Sequence, residues 1–429
     1  MNIPIYKADQ IGREEILKRS FAANEAAERA AAEILLQVKT RGDQAIYALE
    51  EKFDGVLLSS LEVSEEEWEE GAKKADPALV QVLTEAAERI RFYHSHQKRN
   101  GFVTESGDGV ILGQKITPLE KVGLYVPGGT ARYPSSVLMN TIPAVIAGVE
   151  ERIMVTPPDK DGSLPPALLA AAKIAGVTRI FKMGGAQAVA ALAYGTESVP
   201  KVDKIVGPGN VFVAAAKKQV YGLVDIDMVA GPSEILVVAD VGADPAVVAA
   251  DLLSQAEHDK NATAVLITDC EKLLLQVKEQ LEIQTKLLPR EEICAASLEA
   301  NGKLILVSSL FEALEISNAL APEHLELSVA EPFALLPLVK HAGSIFLGYH
   351  TPEALGDYFA GTNHTLPTSG TARFSSPLSV DDYIKKSSFC YYSSSAAAAA
   401  AEKVNLFANA EGLKAHGESM LRRAKKERI

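Results

Sequence analysis

Cysteine is scarce: Cys270, Cys294 and Cys390 are the only three in 429 residues, far apart and without a CxxC pair. That excludes a disulfide framework and a thiolate zinc cluster, so any transition metal here must be held through nitrogen and oxygen. We expect a reducing, cytoplasmic compartment. Basic residues are outnumbered, 43 Lys+Arg against 56 Asp+Glu, for a formal charge of −13. Neither nucleic acid nor an anionic membrane surface is an expected partner, because both require a basic patch. No apolar run approaches the roughly 18 residues needed to span a bilayer. The opening Met1-Asn2-Ile3-Pro4-Ile5-Tyr6-Lys7-Ala8-Asp9 lacks the basic-then-apolar build of a signal peptide. Nucleotide fingerprints are missing too. There is no Walker A motif, and Gly207-Pro208-Gly209-Asn210 has no third glycine to complete GxGxxG.

What is present is the balance of a soluble globular chain, 47% apolar and 23% charged, at a length that predicts two or three domains. The first hundred residues read as helices. Dense Ala/Glu/Leu text runs from about Asn24 to Phe53, Ser64 opens a capping box, and Asp76-Pro77 caps a helix predicted to reach about Gln97. Helical spacing places His94 and His96 on different faces, and we read both as surface residues. From Val122 onward, β-branched runs alternate with Ala-rich helical stretches: strands at Val122–Val126, Arg152–Thr156, Arg179–Lys182 and Lys204–Val206, then at Glu234–Val238, Ala264–Ile267, Leu304–Val307 and Ser344–Leu347. Such alternation means βαβ units and largely parallel sheets. Two α/β sheets are expected, with the N-terminal helices packed on the second. The tail is predicted helical, with Ser395 capping Ala396–Ala401.

Several constellations carry chemistry. Val126-Pro127-Gly128-Gly129-Thr130 and Met183-Gly184-Gly185-Ala186-Gln187 each follow a strand and precede a helix, where glycines let a ligand reach backbone N–H groups. A tight strand-to-helix turn explains either loop alone; together with the Gly207 loop they favour a shared cleft. Gln255 and His258 stand at i and i+3 near a helix end, an amide oxygen and an imidazole suited to a borderline metal, though polar residues at an exposed helix end read the same way. Glu323-His324 sets two titratable groups side by side at a strand edge, where a histidine serves general-base chemistry, though a helix-capping Glu beside a structural His reads the same way. Asp357 with His364, and Glu411 with His416, repeat the carboxylate–imidazole pairing, while His341 and His350 have no such company. Together these suggest a metal-containing dehydrogenase. A metallohydrolase or a two-lobed binding protein would use parts of the same set.

The text resembles the histidinol dehydrogenase family across nearly the whole chain. The likeness is carried by VGLYVPGGTARYPSSVLM (122–139), GGAQAVAALAYGT (184–196), VDKIVGPGN (202–210), IDMVAGPSEILVVAD (226–240), DLLSQAEHD (251–259), APEHLEL (321–327), GDYFAGTNHTLP (356–367) and Glu411–His416. The resemblance implies oxidation of L-histidinol through L-histidinal to L-histidine with two NAD, the last step of histidine biosynthesis. By the same resemblance, Gln255, His258, Asp357 and His416 would hold one Zn2+ per subunit, and Glu323 and His324 would be the catalytic acid/base pair. Ser233, Gln255, His258, His324, Asp357, Glu411 and His416 would contact substrate, with His364 close by, and Tyr125, Gln187 and Asn210 would contact NAD. A homodimer is implied, its C-terminal tail completing the partner's site. Texture and resemblance together give an N-terminal arm (1–20), a larger α/β domain with catalytic and metal residues (21–124 and 234–378), a second α/β domain with NAD-binding loops (125–233) and a dimer-crossing helical tail (379–429). The expected fold is therefore α/β, two Rossmann-like βαβ domains without GxGxxG, plus N-terminal helices and a small C-terminal tail domain.

Overall fold

The structure, a computed structural model, describes residues 3–10, 12–17, 25–107, 109–128 and 133–424. Its first stretch runs β1 (Ile5–Lys7), α1 (Arg13–Leu17), α2 (Glu25–Arg41), α3 (Asp43–Phe53), α4 (Glu65–Lys73), α5 (Pro77–Ser95), β2 (Phe102–Glu105) and β3 (Val110–Pro118). A first βα series follows: β4 (Lys121–Tyr125), α6 (Pro134–Ala147), β5 (Glu151–Thr156), α7 (Pro166–Ala175), β6 (Arg179–Lys182), α8 (Gly185–Tyr194), β7 (Lys204–Val206), α9 (Val211–Val220) and β8 (Asp225–Ile226). The second is β9 (Glu234–Ala239), α10 (Pro245–Ala256), β10 (Thr263–Thr268), α11 (Glu271–Thr285), α12 (Glu291–Asn301), β11 (Lys303–Leu306), α13 (Leu310–Leu320), β12 (His324–Ser328), α14 (Pro332–Leu335), β13 (Ser344–Leu347) and α15 (Glu353–Tyr358). The chain closes with β14 (Ile384–Tyr392), α16 (Ser394–Ala410) and α17 (Lys414–Ala424).

Two compact units result. One comprises residues up to 97 and 119–383, the other 98–118 and 384–429. Within the first, two parallel sheets share one topology. The smaller has strand order β6-β5-β4-β7-β8; the larger has β11-β10-β9-β12-β13, with β1 added parallel at the β11 edge. Each is a five-strand half of a doubly wound fold, and in each the order reverses beside the first strand, between β4 and β7 or between β9 and β12. All six residues of β9 are buried, as expected of a strand covered on both faces.

Capping follows local chemistry. Ser64 Oγ accepts from Glu67 N at 3.1 Å, but the Glu67 carboxylate turns to Lys182 instead of completing the box. Asp76 caps α5 with Pro77 at its first position, and Asp244 with Pro245 does the same for α10. At the tail the cap is Ser393, whose hydroxyl accepts from Ala396 N; Ser395 already lies inside the helix. The tail also holds a strand that the helical reading missed: β14 pairs antiparallel with β3, which pairs with β2, to form the sheet of the second unit.

The N-terminal helices pack on the smaller sheet, correcting the expectation that they cover the larger one. Helices α2 and α3 share a core with α8 and α9 on one face, and α5 packs with α6 and α7 on the other. The reason is supply. The larger sheet is already covered by α10, α11 and α12 on one face and by α1, α13 and α14 on the other. His94 is corrected likewise. It follows Leu83, Ala87 and Ile90 on the buried stripe of α5, with Nδ1 2.7 Å from Gln97 Oε1, whereas His96 is exposed. His341 is half-buried and His350 exposed.

Candidate active site

Tyr125, Gln187 and Asn210 follow β4, β6 and β7 at the carboxyl end of the smaller sheet, Tyr125 and Asn210 beside its topological switch. Tyr125 ends β4, and its buried hydroxyl accepts from Gly185 N at 3.1 Å; burial pushes the phenol up to about 12. Gln187 lies buried in the first turn of α8 and donates Nε2–H to Glu50 Oε1 at 2.9 Å. Asn210 caps α9, with Oδ1 accepting from Phe212 N and Val213 N while its residue stays exposed. Gly207 before it has φ +112°, and a Cβ there would lie 2.1 Å from Tyr125 O, so glycine is required. A buried ion pair pins this peptide. Gly207 N donates to Asp227 Oδ2 at 2.7 Å, Gly207 O accepts from Lys217 Nζ at 2.9 Å, and Lys217 Nζ closes onto Asp227 Oδ1. Of the Val126–Thr130 loop, Gly129 and Thr130 lie outside the described residues.

The catalytic candidates occupy the opposite, amino end of the larger sheet, again at its switch. Glu323 immediately precedes β12, and its Oε2 accepts from Glu234 N, at the start of β9, at 2.8 Å. His324 opens β12, is buried, and stacks on Phe346 at 6.1 Å between ring centroids. Its Nδ1 lies 3.0 Å from Glu234 O and 3.2 Å from Gln255 Nε2. The two contacts ask for opposite tautomers, since the carbonyl can only accept and the amide nitrogen only donate; the shorter one, to Glu234 O, puts the proton on Nδ1 in the neutral ring and leaves Nε2 its lone pair. That Nε2 has no hydrogen-bond partner and lies 3.7 Å from Asp357 Oδ1. Ser233, half-buried, precedes β9. Because α10 runs antiparallel to the strands, its last turn brings Gln255 back to this edge, buried with Oε1 unpartnered, and leaves His258 exposed just beyond.

Beside Asp357, the carboxylates of Glu353, Glu326 and Asp251, to which the sequence reading gave no role, complete the site. Glu353, Asp357 and His324 each offer a ligand atom within 4.8 Å of the others. Glu353 N donates to Glu326 Oε1 at 2.6 Å, and its own Oε2 accepts from Ser254 Oγ at 2.9 Å. Burial raises Glu353, raises Asp251 to about 6 and lifts Glu326 well above its usual range. The available signal was an acid amid apolar neighbours, as in Leu325-Glu326-Leu327. Burial also pushes Glu323 up to about 8. It opposes an imidazolium at His324, yet the attraction of Glu323 and Asp357 outweighs that cost and holds His324 above its usual range. Asp357 is lowered because His324 and His364 overcome its burial.

One segment joins the two ends. His364 Nδ1 lies 3.1 Å from Asp357 O, and its Nε2 lies 3.2 Å from Ser136 Oγ in the first turn of α6. Asn363 Nδ2 donates to Met139 O, Thr365 Oγ1 to Asn140 Oδ1, and Asn140 Nδ2 to Tyr125 O. The carboxyl end of one sheet thus adjoins the amino end of the other. Glu411 and His416 belong to the second unit, at the C-cap of α16 and near the start of α17, both exposed.

The chemistry of these donors suits a divalent cation. His324 Nε2, buried and without a partner, lies among the carboxylates of Glu353 and Asp357, Gln255 Oε1 is a second buried acceptor without a partner, and no sulfur is involved.

A family model described as histidinol dehydrogenase matches residues 17–424. The chain is 52% identical to the histidinol dehydrogenase of Halalkalibacterium halodurans over 395 residues, covering 92% of this chain and 93% of that one. It is also 52% identical to that of Bacillus subtilis (strain 168) over 405 residues, covering 94% and 95%. The crystal structure of histidinol dehydrogenase from Elizabethkingia anophelis superposes with a TM-score of 0.94 at 37% identity, covering 100% of this chain and 99% of that one. With sequence, fold and coverage agreeing from end to end, the chain belongs to the histidinol dehydrogenase family.

Proposed function

We propose that the chain oxidises L-histidinol through L-histidinal to L-histidine at the expense of two NAD and one water, in the cytoplasm, as the closing step of histidine biosynthesis. The observation that carries the reading is Glu323–His324, a buried acid/base pair at one sheet's switch, joined through His364 to the cofactor-suited end of the other sheet.

His324 Nε2 takes the hydroxyl proton while a hydride leaves the alcohol carbon for nicotinamide. The aldehyde has no such hydride to give until it is hydrated. Glu323 removes a proton from the attacking water; burial raises it to about 8, so its carboxylate form, when present, is a stronger base than an exposed carboxylate. His324 then takes the hydroxyl proton of the gem-diol as the second hydride departs, leaving the carboxylate. Both steps use one site, so the reactive aldehyde need not leave between them.

Gln255, His258 and Asp357, with His416 from the partner subunit's tail, would hold one Zn2+. When bound, it supplies a Lewis-acid anchor that orients the imidazole and amino groups of the substrate. With a cation held by Asp357, less of the attraction that raises His324 would remain, and its Nε2 would be freer to accept a proton. Ser233, His364 and Glu411 complete the substrate contacts, and Tyr125, Gln187 and Asn210 the NAD contacts. The test is NADH formed per L-histidinol consumed, followed at 340 nm with and without chelator. Two NADH per substrate, lost on chelation and restored by zinc, is the expected result. No NADH from histidinol removes the substrate assignment.

A further inference from the structure

Glu50, on α3, is fully buried with its carboxyl group against the first turn of α8. Its Oε1 accepts from Gly184 N at 3.2 Å and from Gln187 Nε2 at 2.9 Å, while Oε2 has no partner. The next amide, Gly185 N, donates to the Tyr125 hydroxyl. Amides at a helix N-terminus after a glycine-rich strand end commonly hold a ligand's phosphate. Here the first two are taken by the protein's own side chains. Gly184, the N-cap of α8, has no side chain to cap with, and Glu50 supplies the acceptor from another helix. Gly185 completes the seat: its φ is +58°, and a Cβ there would lie 2.7 Å from Gln187 Oε1. The Gln187 amide is therefore held through its donor on Glu50, while its oxygen occupies space that only glycine at 185 leaves open.

We propose that Glu50 is a positioning residue for the cofactor: through its shared acceptor it fixes the Gln187 amide at the carboxyl end of the smaller sheet, while filling the place at the α8 N-terminus that a dinucleotide's phosphates would otherwise take. The inference rests on the assignment of Gln187 to the NAD contacts. One oxygen receives two donors, so an amide can replace the carboxyl group and an aliphatic side chain cannot.

The test uses the full-length, metal-loaded enzyme and four variants: Glu50→Gln, Glu50→Leu, Gln187→Ala, and the double Glu50→Leu/Gln187→Ala. NAD is varied at saturating histidinol, then histidinol at saturating NAD. Glu50→Leu should raise the KM for NAD about tenfold, the scale of one lost buried hydrogen bond, with kcat and the KM for histidinol within about twofold. Glu50→Gln should match wild type within about twofold, and the double variant should be no worse than Gln187→Ala alone. A merely structural Glu50 would lower the melting temperature without this selective rise. If Gln187→Ala raises the KM for NAD and Glu50→Leu does not, positioning is overturned while the cofactor assignment stands. If Gln187→Ala leaves the KM unchanged, that assignment fails and takes the proposal with it. A tenfold rise in Glu50→Gln also overturns the proposal, and that arm does not depend on whether Glu50→Leu folds.

Discussion

Removing the Lys217 ammonium tests what the buried pair beneath the Gly207 loop contributes. The Lys217 and Asp227 side chains are 2% and 1% exposed. Lys217→Met preserves most of the aliphatic volume but removes the hydrogen bond to Gly207 O and leaves Asp227 charged in the interior. Asp227 keeps two backbone donors, Gly207 N and Met228 N, so its desolvation is only partly offset. Breaking one side of such a pair costs about 3–5 kcal/mol. Asp227→Asn is unfavourable for the opposite reason, since it leaves the ammonium without its counter-charge but retains an acceptor oxygen. In the double variant Lys217→Met/Asp227→Asn no charge is buried and one backbone donor still finds an oxygen. It should therefore lie within about 2 kcal/mol of wild type, with a coupling energy of roughly 2 kcal/mol or more. Trp68 is the natural reporter: it is the only tryptophan, it packs in the core of the smaller sheet, and its Nε1–H donates to Leu169 O. Urea titrations followed by its fluorescence give the four stabilities. Additive losses in the double variant, or a Lys217→Met cost below about 1 kcal/mol, would refute the reasoning.

His324→Ala should cut kcat roughly 10²–10⁴-fold on both histidinol and histidinal, whereas Glu323→Gln should spare alcohol oxidation relative to aldehyde oxidation; equal losses on both substrates would remove the water-activating role. His258→Ala and His416→Ala should each lower bound zinc, measured by elemental analysis after dialysis. Mixing His324→Ala with His416→Ala protomers should restore about one good site per heterodimer, and none after verified subunit exchange would place each site in a single chain. Burial raises Glu50 from 4.5 to about 8, so the folded state binds its proton more tightly than the unfolded one and stability is lost as pH climbs through that window, at about 1.4 kcal/mol per unit. Glu50→Gln lacks this titration, so its melting-temperature advantage should widen by the equivalent of about 2–3 kcal/mol between pH 6 and 9; a constant gap contradicts the buried-proton account.

Much of the fold was legible because both parallel sheets are covered on both faces. Their strands read as short apolar runs, and the eight strands expected fall within one or two residues of those observed. Less legible were strands that break that rule. The sequence marked β12 only at its start, with Glu323-His324 at a strand edge; buried His324, Glu326 and Ser328 interrupt the apolar run that would have shown it to be central. β2 is exposed throughout and β14 nearly so, and β14 pairs with a strand from the far side of the chain, which no local pattern announces. Glu50 was missed although its signal was present, an acid on the stripe Ala45, Ile46, Leu49 of α3. His94 was missed for the same reason. In each case the informative residue is the polar one at an apolar position, because burial without a partner is costly enough that its retention requires an explanation.

That principle also explains how the two sheets divide the work. Ligand sites in open α/β sheets usually lie at the carboxyl ends of the strands, where loops and helix N-termini converge. The smaller sheet obeys, with Tyr125 and the Gly207 loop at those ends. The larger sheet does not: Glu323, His324 and Gln255 sit at the amino end, where helices finish and strands begin. Helix C-termini concentrate partial negative charge, and the carboxylates Glu353 and Asp357 add to it. Such an environment stabilises cations, which suits a bound divalent ion, and it repels the phosphates of a dinucleotide. The amino end of one sheet is thus suited to a metal and a cationic amino alcohol, and the carboxyl end of the other to a dinucleotide. The His364–Ser136 and Thr365–Asn140 contacts bring these unlike ends together. In the proposed reaction, hydride donor and acceptor would meet at that seam without either sheet having to accommodate both charges.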